Sequence, residues 1–168
     1  MENAYVLSSA QMLKDLLETI WRHVPKAVRR WSMRATHTRF TVTAAAVIIN
    51  NEGRILLLKH RFRPGSGWGL PGGFIEADEQ PQEALRREVC EEIGLELEKV
   101  EIFATRAFSR PRQIEIVFLC QANGEARPQS LEVERAVWVP AQSLPEGLPE
   151  GQRRLIELAV MNGGKQRD

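Results

Sequence analysis

Three glutamates of one short predicted helix, Glu88, Glu91 and Glu92, have the chemistry and the spacing to hold a divalent cation. At about 100° per residue they fall on one band, directly beside an apolar stripe. The stripe consists of Leu85, Val89 and Ile93. Like charges at this spacing repel one another, and a bound cation would relieve that repulsion. Because all the donors are oxygen atoms, the ion we expect is a hard one, Mg²⁺ or Mn²⁺.

The residues around these acids define the helix and add to the site. Pro81 suits the first helical position, where its missing N–H costs nothing, and Gly94 suits the left-handed residue that ends a helix. Gly72 and Gly73 precede the helix, and without side chains they allow a backbone carbonyl to approach a metal. Arg87 lies one turn before Glu91, so we expect it to orient a carboxylate through a charge-assisted hydrogen bond.

The stretch from Gly73 to Leu95 resembles the Nudix box, written G-x5-E-x7-R-E-U-x-E-E-x-G-U, where U is a bulky aliphatic residue. Every specified position is filled, and such a match is far more specific than a lone glycine motif. These positions are Gly73, Glu79, Arg87, Glu88, Val89, Glu91, Glu92, Gly94 and Leu95. The chain departs from common family usage at Asp78, where glycine is frequent, and at Gln80, where a Thr or Ser cap is frequent. We expect an altered cap and an intact site, because Asp tolerates turn and left-handed conformations.

The resemblance implies an enzyme, a Mg²⁺-dependent hydrolase that cleaves the diphosphate of a nucleoside diphosphate linked to a moiety X. Its catalytic residues would be Arg87, Glu88, Glu91 and Glu92. The metal ligands would be the three glutamates and the Gly73 carbonyl, with Arg87 orienting the acids and Glu79 supporting them. The general base stays open, because the family draws it from different places. The candidates are Glu88, Glu91, Glu132 and Glu134.

Arginines outside the box are candidates for substrate binding. Arg61 and Arg63 lead towards the acidic site, where phosphate binding would explain them and solvation at a strand end would explain them nearly as well. Pro111 falls sixteen residues after Leu95, a spacing that resembles Nudix enzymes acting on ADP-ribose, although a proline between strands is also ordinary turn chemistry. The arginines around it are Arg106, Arg110 and Arg112.

Two other functions remain open for a chain with this motif. One is a (d)NTP pyrophosphohydrolase, which would release pyrophosphate from a triphosphate. The other is a nucleotide-binding or regulatory module without turnover, although such modules typically lose acids of the box and this chain keeps all of them.

The pattern around the box predicts strands and a last helix. β-branched residues from Arg39 to Asn50, a turn at residues 51–53 and the run RILLLKH predict a hairpin with a buried strand. Two strands follow the box at 97–108 and 113–122, another covers VERAVWVP, and a helix spans 150–161 with Leu155, Leu158 and Ala159 inward. Together with the resemblance, this predicts an α/β fold, a Nudix-type α/β/α sandwich with a mixed sheet, over residues 39–168.

Residues 1–38 lie outside the resemblance and predict an amphipathic helical extension. Leu13, Leu17, Ile20 and Val24 recur at helical spacing up to Pro25. Ser8 and Gln11 suit a capping box, and a basic run from Arg22 to Arg39 follows. We expect this helix to dock on protein, either on the catalytic domain or on a second subunit, and we favour a homodimer interface over a membrane-surface helix and a signal peptide. Asp15 and Glu18 disfavour both alternatives.

The composition of the chain argues against several other classes of protein. A chain of 168 residues with a net charge of +1 fits one domain plus an appendage and gives no global reason to bind nucleic acid. No apolar run reaches the length that spans a membrane. The two cysteines, Cys90 and Cys120, lack the spacing of a metal site or a disulfide framework, so we expect free thiols in a reducing cytoplasm.

Overall fold

The computed structural model describes residues 9–23, 25 and 39–165, and the chain divides into two units, Met1–Arg39 and Phe40–Asp168. In the first unit the predicted helix is present as α1 (Ser9–His23). Its apolar side chains Met12, Leu13, Leu16 and Leu17 each expose more than half of their surface. Ser8 of the predicted capping box and Val24 of the predicted stripe lie outside the described residues. The assignment of the two parts as extension and catalytic domain stays a prediction.

The second unit is built from strands and two helices. Its strands, in chain order, are β1 (Thr41–Ile49), β2 (Arg54–His60), β3 (Trp68–Gly69), β4 (Gly72–Phe74), β5 (Glu98–Ser109), β6 (Arg112–Gln121) and β7 (Val133–Pro140). The helices are α2 (Pro81–Ile93) and α3 (Glu150–Lys165). The strands predicted from patterning are present, whereas β3 and β4 are too short to show a period of their own.

The strands form one mixed sheet in the order β3-β2-β1-β6-β5, with β4 beside β1 and β7 beside β2. β1 runs parallel to β6 along its whole length, and the other pairs are antiparallel. The predicted hairpin of β1 and β2 holds only next to the turn, where Ile49 pairs with Ile55. Beyond that pair the strands part, so that β4 pairs with β1 and β3 pairs with β2. Gly72 and Gly73, the two glycines that precede α2, therefore lie where the sheet divides.

Alternate residues of β1 face two separate cores. Ala44, Ala46 and Ile48 pack in one cluster with the apolar stripe of α2, as the sequence predicts. Val47 packs on the opposite face with Leu155, Ile156 and Ala159 of α3. The predicted α/β/α sandwich is confirmed. The prediction that Leu158 points inward is wrong, because this side chain is 52% exposed and Ile156 takes the inward position.

The turn between β5 and β6 contains the proline noted in the sequence. Ser109 pairs with Arg112, which leaves Arg110 and Pro111 as the two turn residues, joined by a cis peptide bond. Both residues are exposed. Within the part of the chain that the structure describes, no helix is long and apolar enough to cross a membrane.

Candidate active site

Helix α2 carries the acids, and its ends follow from local sequence. Pro81 is at the first helical position after Gln80, whose N–H donates to the Glu83 carboxylate at 3.2 Å. Gly94 ends the helix in the left-handed conformation, with φ of 67°, and its N–H donates to the Cys90 carbonyl at 2.8 Å. Asp78, at the position where the family usually has glycine, also has a positive φ, of 66°. The cap differs from common usage, and the helix that holds the acids is formed.

Arg87 holds the acids of the site together. Its Nε and Nη2 donate to the two oxygens of Glu79 at 2.9 and 3.0 Å, a bidentate pair. Its Nη1 lies 3.1 Å from Glu88 Oε1 and 3.5 Å from Glu91 Oε2, and Nη2 also donates to the Phe74 carbonyl. The hydrogen bond from Arg87 lowers the pKa of Glu79, and Glu79 in turn raises the pKa of Arg87. Arg87 thus contacts three carboxylates, where the sequence predicts one.

The three acids predicted to bind a metal differ in their surroundings. The side chain of Glu91 is 63% exposed, that of Glu88 is 20% exposed and that of Glu92 is 10% exposed. Burial raises the pKa of Glu92 to about 7, and the charge of Glu88 adds to the shift. The Gly72 N–H, 3.5 Å from Glu92 Oε2, acts in the opposite direction. The helical wheel puts these acids on one band, but the packing of the domain buries one end of it.

A glycine is required at position 73 because the Glu88 carboxylate lies close to its backbone. A Cβ at this glycine would overlap the Glu88 carboxylate, lying 2.5 Å from its Oε2. Gly73 pairs with Ala44 of β1, so the sheet fixes the position of its backbone. The sequence prediction that its carbonyl is a metal ligand stays a prediction.

The donor chemistry of the site fits a hard divalent cation. Glu88, Glu91 and Glu92 supply carboxylate oxygens, and the glycine at position 73 leaves its backbone open beside Glu88. Among the described residues, however, no three His, Cys, Asp or Glu side chains converge closely enough to enclose a metal as they stand. The donors fit the ion in kind, while in this structure Arg87 positions two of them, Glu88 and Glu91.

The arginines predicted to bind substrate fall into different environments. Arg61, Arg110 and Arg112 are exposed, the last two at the β5–β6 turn. Arg106 is already committed, because its Nε donates to Glu115 at 2.9 Å, its Nη2 also contacts that carboxylate, and its Nη1 donates to the Gly151 carbonyl at 3.0 Å. Its guanidinium also lies 5.2 Å from the centre of the Phe108 ring. Arg63 is half-buried near the acids.

Two buried titratable residues, His60 and Glu115, were not identified from the sequence. His60 is 9% exposed, with its Nδ1 3.7 Å from Glu92 Oε1, and burial lowers its pKa to about 4, so the imidazole is neutral near pH 7. Glu115 is also 9% exposed and holds Arg106. Strand alternation offers a signal for Glu115, because it lies two residues before the buried Val117. His60 ends an apolar strand and has no comparable signal.

Comparison with known proteins identifies the chain's relatives. The family model "NUDIX domain" matches residues 39–159. The NAD-capped RNA hydrolase NudC of Vibrio atlanticus is 28% identical over 141 residues, covering 82% of this chain and 52% of the relative. The chain therefore spans about half the length of that curated relative.

Solved structures share the fold. A MutT NUDIX hydrolase from Burkholderia pseudomallei matches with a TM-score of 0.63 and 30% identity, covering 71% of this chain and 98% of that one. An ADP-ribose pyrophosphatase from Streptococcus suis matches with a TM-score of 0.57 and 26% identity, covering 74% of this chain and 92% of that one.

The contact between Gly73 and Glu88 gives a testable prediction about cation binding. In Gly73→Ala the new methyl group must displace the Glu88 carboxylate. We expect the affinity for Mn²⁺, measured by calorimetry, to fall by about 10- to 100-fold, as it does when groups that orient metal ligands are lost. The backbone at Gly73 is not left-handed, so the variant should fold, and its melting temperature serves as the control. An unchanged Mn²⁺ affinity would show that Glu88 does not contribute to a metal site here.

Proposed function

The chain belongs to the NUDIX family, and from this premise we propose that it hydrolyses the diphosphate linkage of a nucleoside diphosphate joined to a second group, with ADP-ribose-like molecules favoured. The observation that carries the proposal is the Arg87 network, in which one guanidinium contacts the carboxylates of Glu79, Glu88 and Glu91. Such a cluster suits a substrate that brings its own negative oxygens together with a cation.

The family generally uses divalent metal cations, and we assign Mg²⁺ to this chain. The residues that would hold it are Glu88, Glu91 and Glu92, with the carbonyl of Gly73. When bound, the ion supplies positive charge that offsets the charge on the phosphate oxygens. Its donors are all oxygen atoms, which is the preference of Mg²⁺ and of Mn²⁺.

The side chains of the domain divide the remaining work. Arg87 fixes Glu88 and Glu91, so that neither carboxylate has to be ordered when substrate binds. Glu92 lies behind them, at the buried end of the same band. A water molecule attacks one phosphorus of the diphosphate, the P–O–P bond breaks, and the products are a nucleoside monophosphate and a phosphorylated second group. One group of the protein must accept the proton of that water.

Glu132 is the best placed residue to accept this proton. Its backbone is fixed by a 2.8 Å hydrogen bond from the Arg61 N–H to its carbonyl, and its charge acts on nearby Glu92. Its side chain is exposed and forms no ion pair with any of the described residues. Glu134 is occupied instead, because Lys59 Nζ lies 3.3 Å from each of its oxygens. Glu88 and Glu91 are in contact with Arg87.

The comparisons support the class of substrate. One relative is named for the hydrolysis of NAD-capped RNA and one structural neighbour for the hydrolysis of ADP-ribose. Both named substrates contain an adenosine diphosphate joined to a further sugar, which is the class that we propose for this chain.

Turnover of a defined panel tests the proposed function. We expect wild-type protein with Mg²⁺ to cleave ADP-ribose, NADH or NAD-capped RNA at the diphosphate and to release a monophosphate. Glu92→Gln, which removes the charge with little change of volume, should lower kcat by about 100-fold or more while the protein stays folded. Pyrophosphate released from (d)NTPs would favour a triphosphate pyrophosphohydrolase instead. No turnover on any member, with Mg²⁺ or Mn²⁺, would favour a binding module.

A matched pair of substitutions tests the general base. Glu132→Gln should lower kcat by about 100-fold, because the proton acceptor is lost. Glu134→Gln makes the same chemical change two residues away, and we expect its kcat to stay within about threefold, since Glu134 is held by Lys59. Steady-state kinetics on the best substrate of the panel compares the two variants. A larger loss of kcat in Glu134→Gln than in Glu132→Gln would assign the general base to Glu134. Full activity in both variants would leave Glu88 and Glu91 of α2 as the candidates.

We also propose that α1 pairs with the same helix of a second copy. In a two-fold dimer each copy offers the same apolar stripe to the other, which would cover the exposed Met12, Leu13, Leu16 and Leu17. A bilayer surface suits this helix less well, because an anionic lipid surface would repel the acidic Asp15 and Glu18.

Light scattering tests this pairing on the full chain. We expect a dimer mass for wild type and a monomer mass for Leu13→Glu/Leu17→Glu, whereas Lys14→Gln between them should leave the dimer intact. A monomeric wild type would contradict the proposal, and binding of wild type but not the double variant to anionic vesicles would favour a membrane role.

A further inference from the structure

Arg63 is half-buried and has no partner among the residues that the structure describes. In the described part of the chain, three other arginines are similarly half-buried: Arg87, Arg106 and Arg153. Each of these donates hydrogen bonds to a carboxylate or to a backbone carbonyl. The guanidinium of Arg63 makes no hydrogen bond or ion pair with any described residue, and its Nη1 is fully buried. Burying a charged donor without a hydrogen-bond partner lowers the stability of the fold, so the position of Arg63 needs an explanation.

Gly69 leaves the space in which the Arg63 guanidinium lies, and we call this position the seat of Arg63. A Cβ on this glycine would overlap Nη1 of Arg63 and lie 2.8 Å from its Cζ, so the guanidinium rests directly on the glycine backbone. Gln152, which borders the same place, already accepts a hydrogen bond from the Leu70 N–H at 2.9 Å. Of the guanidinium nitrogens only Nη1 is enclosed without a partner. Nε and Nη2 are not enclosed in this way, so the edge that they form is where an incoming group can reach the guanidinium.

The surroundings of Arg63 indicate what that group would be. Burial lowers the pKa of Arg63, and the charges of Glu92 and Glu115 oppose this effect, so both carboxylates are near it. Glu115 is already paired with Arg106, and Glu92 belongs to the proposed metal site. Neither forms a direct pair with Arg63. An open guanidinium edge matches two oxygens of a carboxylate or phosphate, and only a phosphate group is expected beside Glu92 in the proposed reaction.

We propose that Arg63, seated on Gly69, binds a phosphate group of the substrate through Nε and Nη2, beside Glu92. This inference rests on the proposed function, and it selects one residue from the five arginines that the sequence offers. Arg61, Arg110 and Arg112 are exposed, and Arg106 is committed to Glu115. Gly69 belongs to the proposed phosphate-binding site, because any larger residue at this position would displace the Arg63 guanidinium.

Three variants of the full chain test the proposal. Arg63→Gln removes the charge and the fork, and Gly69→Ala keeps the arginine but occupies its seat. Arg54→Gln removes the same charge at an exposed position at the start of β2. Gly69 is not left-handed, and the overlapping atoms are the end of a flexible side chain, so Gly69→Ala should fold. We expect Arg63→Gln and Gly69→Ala to raise KM for ADP-ribose by about 10- to 100-fold with a smaller change in kcat, and Arg54→Gln to leave both unchanged.

The double variant Arg63→Gln/Gly69→Ala separates a shared role from two unrelated defects. If Gly69 acts only by seating Arg63, the double variant should be no worse than Arg63→Gln alone. Additive losses would overturn the proposed seat, and a KM within twofold of wild type in Arg63→Gln would overturn the phosphate contact. Melting temperatures identify any variant that fails to fold, in which case Arg63→Lys, which keeps the charge without the fork, provides the comparison.

A binding measurement distinguishes this proposal from the proposed function. Calorimetry of ADP-ribose and of AMP without added metal requires no turnover. If wild type binds either ligand and Arg63→Gln binds it at least about tenfold more weakly, the phosphate contact stands even when the enzyme panel shows no hydrolysis. Equal affinities in wild type and Arg63→Gln would refute the contact even if the panel succeeds.

Discussion

The site depends on the ion pairs of Arg87. Helical spacing brings Glu88 and Glu91 to the same side of α2, and their mutual repulsion opposes that arrangement. Arg87 counters it with one guanidinium, which also donates hydrogen bonds to Glu79 and to the Phe74 carbonyl. Single ion pairs near the protein surface contribute little to stability. Their effect here is positional, because the same side chain joins the helix to the loop before it and sets where the acids lie.

The division of the sheet provides the other constraint. β1 stays parallel to β6 throughout, but it leaves β2 after a single pair next to the turn. The short strands β3 and β4 fill the gap on either side, and the glycines of β4 bring the backbone against Glu88. Burial of Glu92 follows from the same packing, and it disfavours the ionised form of a carboxylate that the proposed chemistry uses. A cation bound there would offset that cost, which agrees with the tendency of functional sites to depart from the packing rules of the core.

How much could be predicted from the sequence depends on whether a feature is local. Pro81, Gly94 and the period of Leu85, Val89 and Ile93 fix the helix from within a few residues, and the nine positions of the motif fix the family. The different burial of Glu91 and Glu92 is not local, because it depends on which end of the band faces Gly72 and His60. The prediction for Leu158 is wrong for the same reason. Two faces of α3 are apolar enough to pack, and only tertiary contacts decide between them. Sequence spacing likewise does not show that Arg106 pairs with Glu115, or that Arg63 has no partner among the described residues.

The contrast between these two arginines shows how a buried charge can be assigned a role. Arg106 and Glu115 lie opposite each other in neighbouring strands, so the pairing of β5 with β6 satisfies both groups without any ligand. Arg63 comes from the loop after β2 and reaches the interior only because Gly69 has no side chain. A fold that needed only a stable core would gain from an apolar residue at that place, because a buried and unpaired guanidinium lowers stability. The combination of an enclosed nitrogen, an open edge and a neighbouring Glu92 is therefore best explained by a partner that arrives with the substrate.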